Sequence, residues 1–296
     1  MKLAIIILHY KDQRLIENCL QSLDGQLTDE IGVLVVNNNP SENLQSLKKK
    51  FPRIKVLEAG ENLGFAGGNN LGIRKAMEEG ARAVILLNND TLVAKDFIEQ
   101  MSLKAKNKLV LLSPKIYFAS GCEYHHDRYK DKDRGKVIWY AGGKMDWGNV
   151  IASHRGVDEV DQGQYEEETE TDFATGCAML VTRDVFDKIG LLDERYFLYY
   201  EDMDFCERAK CAGIKVKYSP VTRVWHVNAG SSNVGGGLHD YYLTRNRLLF
   251  GLKFSTSKVK LLLIKESLKL LFSGRSWQKK GVRDYFLCKF AKGCYR

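Results

Sequence analysis

The sequence lacks the cysteine patterns that indicate a zinc site or a disulfide framework. Its seven cysteines are odd in number and scattered, and no CxxC pair occurs. We therefore expect a reduced, cytosolic compartment. Internal repeats of about 20 to 50 residues are also missing, which argues against solenoid and propeller architectures.

Long apolar runs are missing as well. The first run, residues 3–8, resembles the core of a signal peptide, but it is short and no small-residue cleavage site follows it. We interpret it as a buried first strand. Near the end of the chain, lysine and glutamate interrupt the apolar stretch between Val259 and Phe272. That stretch is far shorter than the ~20 residues of a transmembrane helix.

Acidic residues are scarce at the end of the chain. Residues 243–296 hold 14 Lys and Arg against 2 Asp and Glu, which gives this segment a charge of +12, whereas the whole chain has a net charge of +8. Residues 1–242 hold 31 against 35, or −4. A basic tail on a mildly acidic body suggests an anionic partner for the tail. Nucleic acid and a membrane surface both fit this pattern.

Short apolar runs alternate with helical patterns through the first half of the chain. The predicted strands are residues 3–8, 32–36, 54–57, 83–87 and 109–112. The predicted helices are residues 14–23, 43–50, 70–79 and 95–106. This alternation is typical of βαβ units, so we expect an α/β fold with a mostly parallel sheet covered by helices on both faces.

The second half of the chain is less regular. We predict a hairpin over residues 139–150 around Gly142 and Gly143. Further predicted elements are a strand over residues 173–181, a helix over 183–189, strands over 214–218 and 221–225, and a flexible run over 228–237. The length of 296 residues allows either one large domain with appendages or two small domains.

Polar side chains and glycines follow the first four predicted strands. In parallel sheets, ligands bind at the carboxyl ends of the strands. One such loop is ordinary turn chemistry, but three Asn- and Asp-rich loops on one edge favour a polar ligand such as a nucleotide. The candidate ligand-binding residues of this edge are His9, Tyr10, Asn37, Asn39, Asn62, Gly67, Asn70, Asn88, Asn89 and Asp90.

Three carboxylates lie within four residues, at Glu201, Asp202 and Asp204, directly after an aromatic segment. The pattern predicts the first turn of a helix that ends at Gly213, and acids in that turn complement the helix dipole. A carboxylate beside aromatic rings is also partly desolvated, which tends to raise its pKa and suits a general base. From these residues alone, the helix-dipole interpretation is favoured.

Taken together, the motifs resemble glycosyltransferase family 2, whose members are inverting transferases with a GT-A fold. The motifs that carry the resemblance are IIILHY (5–10), VVNNN (35–39), NLGFAGGNN (62–70), LNNDT (87–91), GCAM (176–179), LDE (192–194), YEDMD (200–204) and WH (225–226), followed by Tyr241, Tyr242, Arg245 and Asn246. The chain looks most similar to the rhamnosyltransferase branch, which builds bacterial surface polysaccharides. The resemblance implies a GT-A domain over residues 1–250 and a basic, amphipathic helical extension over residues 251–296.

The resemblance also implies roles for individual residues. Asp202 matches the catalytic base of the family. Asp90 matches the last acid of the DxD motif, which binds a divalent cation, Mn²⁺ or Mg²⁺, that bridges the diphosphate of the donor. Asn88 replaces the first acid of that motif. His226 matches a residue that can complete the metal shell.

The remaining candidates have less specific roles in the resemblance. Asn37 stands where many members have an aspartate near the base and the ribose. The other polar residues of the strand edge are implied to bind the nucleotide sugar. Gly176, Glu201, Asp204 and Arg245 are implied to lie at the acceptor site or behind the catalytic acid.

The expected function is the transfer of a sugar, L-rhamnose from dTDP-rhamnose, to a saccharide or lipid-linked saccharide in surface polysaccharide synthesis. Two other classes stay open. The asparagines at positions 37 and 88 also fit a catalytically silent binder of nucleotide sugars. The basic tail also fits a nucleic-acid-binding protein, but it lacks interleaved exposed aromatics, so we expect no nucleic-acid partner.

The tail from residue 254 to residue 296 predicts an amphipathic helix. One face of that helix holds Leu261, Ile264, Leu268 and Leu271, and another holds Lys258, Lys265 and Lys269. Two interpretations fit this pattern. The helix either packs on the domain with a solvated basic face, or docks a cytoplasmic enzyme on the inner face of the plasma membrane.

Overall fold

A computed structural model describes residues 2–227 and 236–295 of the chain. Its strands are β1 (Leu3–His9), β2 (Ile31–Asn37), β3 (Ile54–Glu58), β4 (Ala83–Asn88), β5 (Thr91–Val93), β6 (Leu111–Phe118), β7 (Ile138–Tyr140), β8 (Gly143–Asp146), β9 (Ile151–His154), β10 (Thr169–Glu170), β11 (Ala178–Thr182) and β12 (Val216–His226). Its helices are α1 (Gln13–Asp24), α2 (Gln45–Lys50), α3 (Gly64–Glu78), α4 (Phe97–Lys104), α5 (Arg183–Ile189), α6 (Glu201–Cys211), α7 (Gly237–Phe254), α8 (Ser257–Ser273) and α9 (Ser276–Phe286). Most of the run predicted to be flexible, residues 228–235, lies outside the described residues.

One large sheet forms the centre of the fold. Its main strand order is β10-β12-β6-β11-β4-β1-β2-β3, with β5 beside β12 and β7 beside β6. Strands β3, β2, β1 and β4 are parallel, as the alternation of strands and helices predicts. β11 runs antiparallel between β4 and β6, and β12 is parallel to β6, so the second half of the sheet is mixed. The expected α/β class is confirmed.

The helix predicted to begin at Asn70 begins at Gly64 instead. The glycine-rich segment therefore belongs to α3, whereas the sequence analysis placed it in a loop. Its glycines allow a close approach of the helix to the sheet, because a Cβ atom on Gly72 would lie 2.6 Å from Cγ2 of Ile6. This packing overrides the low helix propensity of glycine.

The two strands predicted over residues 214–218 and 221–225 form a single strand, β12. Its pairing with β6 is irregular between Tyr218 and Arg223. Pro220 lies within this irregularity, and proline cannot donate a ladder hydrogen bond. The sequence pattern therefore shows a break where the chain has only a local disturbance of one strand.

The hairpin predicted around Gly142 and Gly143 lies further along the chain. β8 pairs with β9 from Gly143 opposite His154 onwards, so the turn of the hairpin falls at residues 147–150. Gly142 has a φ of 114° and joins β7 to β8. Its conformational freedom is therefore needed where the chain leaves the large sheet for a separate two-stranded one.

Helices α7, α8 and α9 pack together around a second apolar cluster. Its buried members are Val150, Tyr196, Tyr200, Leu248, Leu249, Phe250, Leu263 and Val282. A Cβ atom on Gly251 would lie 2.3 Å from Leu263, so this glycine lets α8 approach α7 closely. The predicted boundary after residue 250 falls inside α7, and the division into two domains stays a prediction. Among the helices of the described segments, none combines the length and hydropathy needed to cross a bilayer.

Gly72→Ala tests the close packing of α3 on the sheet. The added methyl group would overlap Ile6, whose β-branched side chain is stiff and fully buried. Overpacking costs about 1–3 kcal/mol, and alanine gains about 1 kcal/mol over glycine within a helix. We therefore expect a lower free energy of unfolding in urea. Gly25→Ala is the control, because nothing lies within 4 Å of its added Cβ. Equal stability of the two variants would contradict the packing argument.

Candidate active site

The carboxyl ends of β1 and β2 lie side by side, with His9 in register with Asn37. His9 is fully buried, and its Nε2 lies 2.7 Å from a carboxylate oxygen of Glu42. This hydrogen bond lowers the pKa of Glu42 below its usual value. The other ring nitrogen of His9 lies 3.5 Å from the amide nitrogen of Asn89. His9 thus connects the loops after β1, β2 and β4, while Tyr10 beside it is exposed.

Asn37 is buried, and its side chain is engaged within the loop that follows β2. Its amide donates at 2.8 Å both to the carbonyl of Glu42 and to the carboxylate of Glu58. Its oxygen accepts from the N–H of Asn39, whose own amide donates to the Glu42 carboxylate at 3.2 Å. Asn37 and Asn39 therefore fix the shape of this loop through Glu42 and connect the loop to Glu58 at the end of β3.

Asn38 joins the loop after β2 to the start of α3. Its amide donates at 3.0 Å to the oxygen of Asn62 and at 3.2 Å to the carbonyl of Gly64. Its own oxygen accepts from the N–H of Leu63. Asn62 also accepts from the N–H of Gly64 at 2.9 Å. Both asparagines thus satisfy backbone groups at a helix start that would otherwise lack partners.

Gly67 and Asn70 lie on α3 and face the segment that leads to α6. The buried Asn70 amide donates at 2.9 Å to the carbonyl of Leu192 and to the carboxylate of Glu194. Its oxygen accepts from the N–H of Leu192 at 3.1 Å. A Cβ atom on Gly67 would lie 3.9 Å from Glu194. These two positions therefore hold residues 192–194 against the helix.

Asp90 and His226 form the candidate metal centre. β12 pairs antiparallel with β5, so that His226 lies opposite Thr91. The Nε2 of His226 lies 3.2 Å from Oδ1 of Asp90. Both side chains are buried. Within the described residues, Oδ1 of Asp90 and Nδ1 of His226 have no hydrogen-bond partner.

Oδ1 of Asp90 and Nε2 of His226 face each other, and a carboxylate oxygen and an imidazole nitrogen are both ligands of divalent cations. The Nδ1 of His226, which has no partner within the described residues, lies on the other side of the ring. In residues 2–227 and 236–295, no group of three or more His, Cys, Asp and Glu side chains could hold a metal ion. The described chain therefore offers two ligands, at Asp90 and His226. Mg²⁺ is commonly held by one or two carboxylates, with substrate phosphates and water as its other ligands.

The Gly176-Cys177 segment, just before β11, joins the two acids of the site. The N–H of Asn88, two residues before Asp90, donates to the Cys177 carbonyl at 2.9 Å. The N–H of Gly176 donates to Oδ2 of Asp202 at 3.1 Å. Burial raises the pKa of the Cys177 thiol well above its usual value, and the charges of Asp90 and Asp202 raise it further. One short segment thus contacts both the end of β4, which leads to Asp90, and the first turn of α6.

Asp202 and Glu201 begin α6 in different surroundings. Asp202 is half-buried, and its Oδ1 accepts from the N–H of Met203 at 2.8 Å. Burial raises the pKa of Asp202, and the hydrogen bonds from Gly176 and Met203 oppose that rise. Glu201 is buried, and burial together with the charge of Asp202 raises its pKa well above the usual value. Burial therefore raises the pKa of both acids, and it raises that of Glu201 well above the usual value.

The turn before α6 has a strained backbone. Phe197, Tyr199 and Tyr200 have φ values of 66°, 68° and 73°, in the left-handed region. Such residues cost on the order of 1–3 kcal/mol each and persist where their surroundings over-determine them. The carbonyl of Phe197 accepts from the N–H groups of Phe65 and Ala66, at 2.6 and 3.3 Å. The turn is therefore fixed to the N-terminus of α3.

Asp204 and Arg245 lie behind this turn. The fully buried Asp204 accepts from the Tyr196 hydroxyl at 3.1 Å, from Arg208 at 2.7 Å and from Lys253 at 2.6 Å. These contacts tie α6 to α7. Arg245 is fully buried on α7, and its guanidinium donates to backbone carbonyls. Both side chains support the acidic segment from inside the protein.

Three residues of the site, Phe65, Glu42 and Asn246, were not among the candidate site residues predicted from the sequence. A Cβ atom on Gly176 would lie 2.9 Å from two ring atoms of Phe65 and 3.7 Å from Cβ of Asp202. The half-exposed Phe65 ring therefore lies beside the acid. Phe65 and Asn246 fall inside motifs that resembled the family, and this was the signal that could have identified them. Glu42 follows the Asn-rich loop and carried no such signal.

The fold resembles those of solved glycosyltransferases. One is GalNAc-T7 with UDP, GalNAc and Mn²⁺, at a TM-score of 0.68 and 15% identity, covering 98% of this chain and 55% of that one. This chain therefore spans about half the length of that structure. Another is S. aureus TarS 1–349 in complex with UDP-GlcNAc, at a TM-score of 0.60 and 13% identity, covering 96% and 79%. At these identities the likeness shows the fold, which is the GT-A fold of glycosyltransferases.

Sequence comparison narrows the class. The profile of the family described as Glycosyl transferase family 2 matches residues 4–190. This match covers more than half of the chain, and the protein belongs to glycosyl transferase family 2.

Three curated relatives match this chain at 24–27% identity. The low-salt glycan biosynthesis hexosyltransferase Agl10 of Haloferax volcanii is 27% identical over 83% of this chain and 74% of its own. The dTDP-rhamnosyl transferase RfbF of Shigella flexneri is 24% identical over 73% and 69%. The N-acetylglucosaminyl-diphospho-decaprenol L-rhamnosyltransferase of Mycobacterium tuberculosis is 26% identical over 78% and 77%. The chain is thus similar to one hexosyltransferase and two rhamnosyltransferases.

Glu201→Gln tests whether the buried Glu201 is protonated. Because its pKa is raised in the folded state, folding takes up a proton at this site above the unfolded-state pKa of about 4.3. The wild type should therefore lose stability relative to Glu201→Gln as the pH rises above about 4.3. The slope should approach about 1.4 kcal/mol per pH unit until the pH passes the folded-state pKa.

Urea unfolding at several pH values measures this difference in the free energy of unfolding. Glu61→Gln, which changes an exposed side chain, is the control. A Glu201→Gln difference that stays constant between about pH 5 and 8 would show that Glu201 is ionised in the folded protein.

Proposed function

We propose that this glycosyltransferase moves L-rhamnose from dTDP-rhamnose to a saccharide or lipid-linked saccharide, with inversion, in surface polysaccharide synthesis. The observation that carries the proposal is the Gly176-Cys177 segment, which binds Asp202 through the N–H of Gly176 and the end of β4, two residues before Asp90, through the carbonyl of Cys177. The proposed proton acceptor and the strand that leads to the proposed cation ligand thereby contact one short segment. Inverting transfer to a hydroxyl group needs both a proton acceptor and a cation ligand.

Asp202 is the proposed base. Its carboxylate takes the proton of the acceptor hydroxyl while that oxygen bonds to the anomeric carbon and the bond from this carbon to the diphosphate breaks. The raised pKa of Asp202 suits this task, because a base works best when its pKa is near the working pH. The N–H groups of Gly176 and Met203 each fix one carboxylate oxygen of Asp202.

Asp90 and His226 are the proposed ligands of a divalent cation, Mn²⁺ or Mg²⁺. When bound, such a cation stabilises the negative charge that develops on the diphosphate. The 3.2 Å approach of the buried His226 Nε2 to Oδ1 of Asp90 supports this role, and the structurally similar GalNAc-T7 contains Mn²⁺ together with UDP. The loops after β1, β2 and β4, connected through His9, are the proposed site for the nucleotide.

The choice of rhamnose follows from the relatives. RfbF is named for dTDP-rhamnosyl transfer, and the mycobacterial relative for rhamnosyl transfer to a lipid-diphosphate-linked sugar. Agl10 is named only as a hexosyltransferase, so the test has to include several donors. Thermal unfolding with dTDP-rhamnose, UDP-GlcNAc and GDP-mannose, with and without Mn²⁺, identifies the donor that binds. Release of nucleoside diphosphate with a lipid-diphosphate-linked N-acetylglucosamine acceptor then separates an enzyme from a silent binder.

Asp202→Asn should lower turnover by on the order of 10²- to 10⁴-fold, because a general base is lost. Donor affinity, measured by calorimetry, should change little. In the wild type, the rate should fall as the pH drops through the raised pKa of Asp202, above the usual aspartate value of about 3.9. The exposed Asp24→Asn is the control. Turnover of Asp202→Asn within a few-fold of wild type would exclude Asp202 as the base.

Asp90→Ala should abolish the dependence of turnover on the cation and weaken binding of the diphosphate, because the carboxylate ligand is lost. His226→Ala should weaken both less, since Asp90 remains. Turnover with and without EDTA and added Mn²⁺ measures the effect. Wild-type activity that EDTA does not reduce would contradict a metal-dependent reaction.

We further propose that α8 docks the enzyme on an anionic membrane surface at the inner face of the plasma membrane. The apolar face of α8 consists of five exposed side chains: Leu261, Leu262, Ile264, Leu268 and Phe272. Phe272 is 85% exposed. Lys258, Lys265 and Lys269 are exposed on the same helix. Apolar side chains that enter the interface and lysines that meet anionic headgroups are typical of such docking helices.

The packing of α8 supports this proposal, and it corrects the predicted position of Leu271. Leu263 and Ser267 are buried towards α7, and Leu271, which the sequence placed on the outer face, is partly buried in the second cluster. The helix therefore combines both interpretations of the tail, with one side packed and the other exposed. A lipid-linked acceptor would be brought to Asp202 by such docking.

Replacing Leu261, Leu268 and Phe272 by glutamine should reduce co-sedimentation with liposomes that contain anionic lipid. These side chains are exposed, so the fold should persist. Binding of the wild type should also weaken with salt, because each Lys near the surface contributes roughly 1 kcal/mol. Leu103→Gln with Ile151→Gln, at exposed positions elsewhere, is the matched control. A wild type that stays in the supernatant with all liposomes would exclude membrane docking.

A further inference from the structure

Asn246 on α7 contacts the strained turn that precedes α6. Its side chain is fully buried. Its amide nitrogen lies 2.9, 2.8 and 2.9 Å from the backbone carbonyl oxygens of Tyr196, Leu198 and Tyr199, so its two hydrogens are shared among three acceptors. The carbonyl of Phe197, which lies between them in sequence, accepts from the N-terminus of α3 instead. The turn is therefore held from two different elements.

Arg245 sets the orientation of Asn246. Its Nε donates to Oδ1 of Asn246 at 3.0 Å, which leaves the amide NH₂ to face the turn. The guanidinium also donates to the carbonyls of Arg195 and Tyr196, at 3.1 and 2.9 Å. A further bond, at 2.7 Å, goes to the carbonyl of Ala291, whose N–H donates to the carbonyl of Arg195 at 2.8 Å. The end of the chain thus takes part in the same contacts.

We propose that Asn246 is a positioning residue for Asp202, and that residues 289–294 complete the structure that holds it. The inference rests on the proposed role of Asp202 as the base. The left-handed residues of the turn are aromatic, so they would relax if their carbonyls lost these donors. Relaxation would displace the start of α6, and a displacement of about 1 Å can lower a rate by about 100-fold.

Asn246→Ala should lower kcat by on the order of 10- to 100-fold. The Kd of the donor, measured by calorimetry, should stay within about twofold, because a positioning residue acts on the chemical step and the proposed donor loops lie on other elements. The acid limb of the pH profile should shift, because displacement of Asp202 changes both its burial, which raises its pKa, and its hydrogen bond from Gly176, which lowers it. Leu47→Ala, buried on α2 away from the turn, is the control for general destabilisation. Its kcat and acid limb should match the wild type.

A chain that ends at Cys288 provides a second variant. It removes the contacts of Ala291 with Arg245 and Arg195 but keeps all of α9, so it should change kcat and the acid limb in the same direction. If either variant is folded by circular dichroism and keeps the wild-type kcat and acid limb, the inference is overturned. Asp202→Asn is measured in parallel. If Asp202→Asn is active, the proposed role of Asp202 as the base is wrong, which is a different result from a failure of the inference about Asn246.

Discussion

The left-handed turn from Tyr196 to Tyr200 is the constraint on which the second half of the structure depends. Aromatic residues do not adopt this backbone without external support. α3 can bring its N–H groups to the Phe197 carbonyl because Gly64 has no side chain, since a Cβ there would lie 2.4 Å from that oxygen. α7 supplies Asn246 on the other side. The glycine at the start of α3 and Asn246 on α7 therefore both make possible contacts that hold the backbone of this one turn.

The three acids that follow the turn show how one segment can bury several carboxylates. Asp204 is paired with Arg208 and Lys253, so its charge is compensated. Within the described residues, Glu201 has no such ion pair, and burial together with the neighbouring charge of Asp202 raises its pKa well above the usual value. Burial also raises the pKa of Asp202, and the two backbone N–H groups that bind it oppose that rise. Close neighbours in sequence thus acquire different surroundings from packing alone.

The elements of the first half could be predicted because apolar strands and amphipathic helices differ in period. The element boundaries that were predicted wrongly have causes that a pattern of residue types does not contain. Glycine reads as a loop former, yet the glycines of α3 are needed for contact with Ile6 across the sheet. Pro220 reads as a strand end, yet β6 pairs with β12 on both sides of it. Tertiary packing decides both cases, and it involves residues far apart in sequence.

A motif that carries chemistry leads to Asp90, Asp202 and His226, whose roles stay predictions, whereas a residue type alone says less where an amide can serve two purposes. Asn70 and a ligand-binding asparagine present the same groups, but Asn70 uses them on Leu192 and Glu194. The tail follows the same logic. Periodicity defines the faces of α8, but which face packs is set by α7, where Gly251 admits Leu263. Other apolar side chains of α8 are left exposed beside lysines, and that juxtaposition, not the basic charge alone, favours the proposed docking surface over a solvated helix.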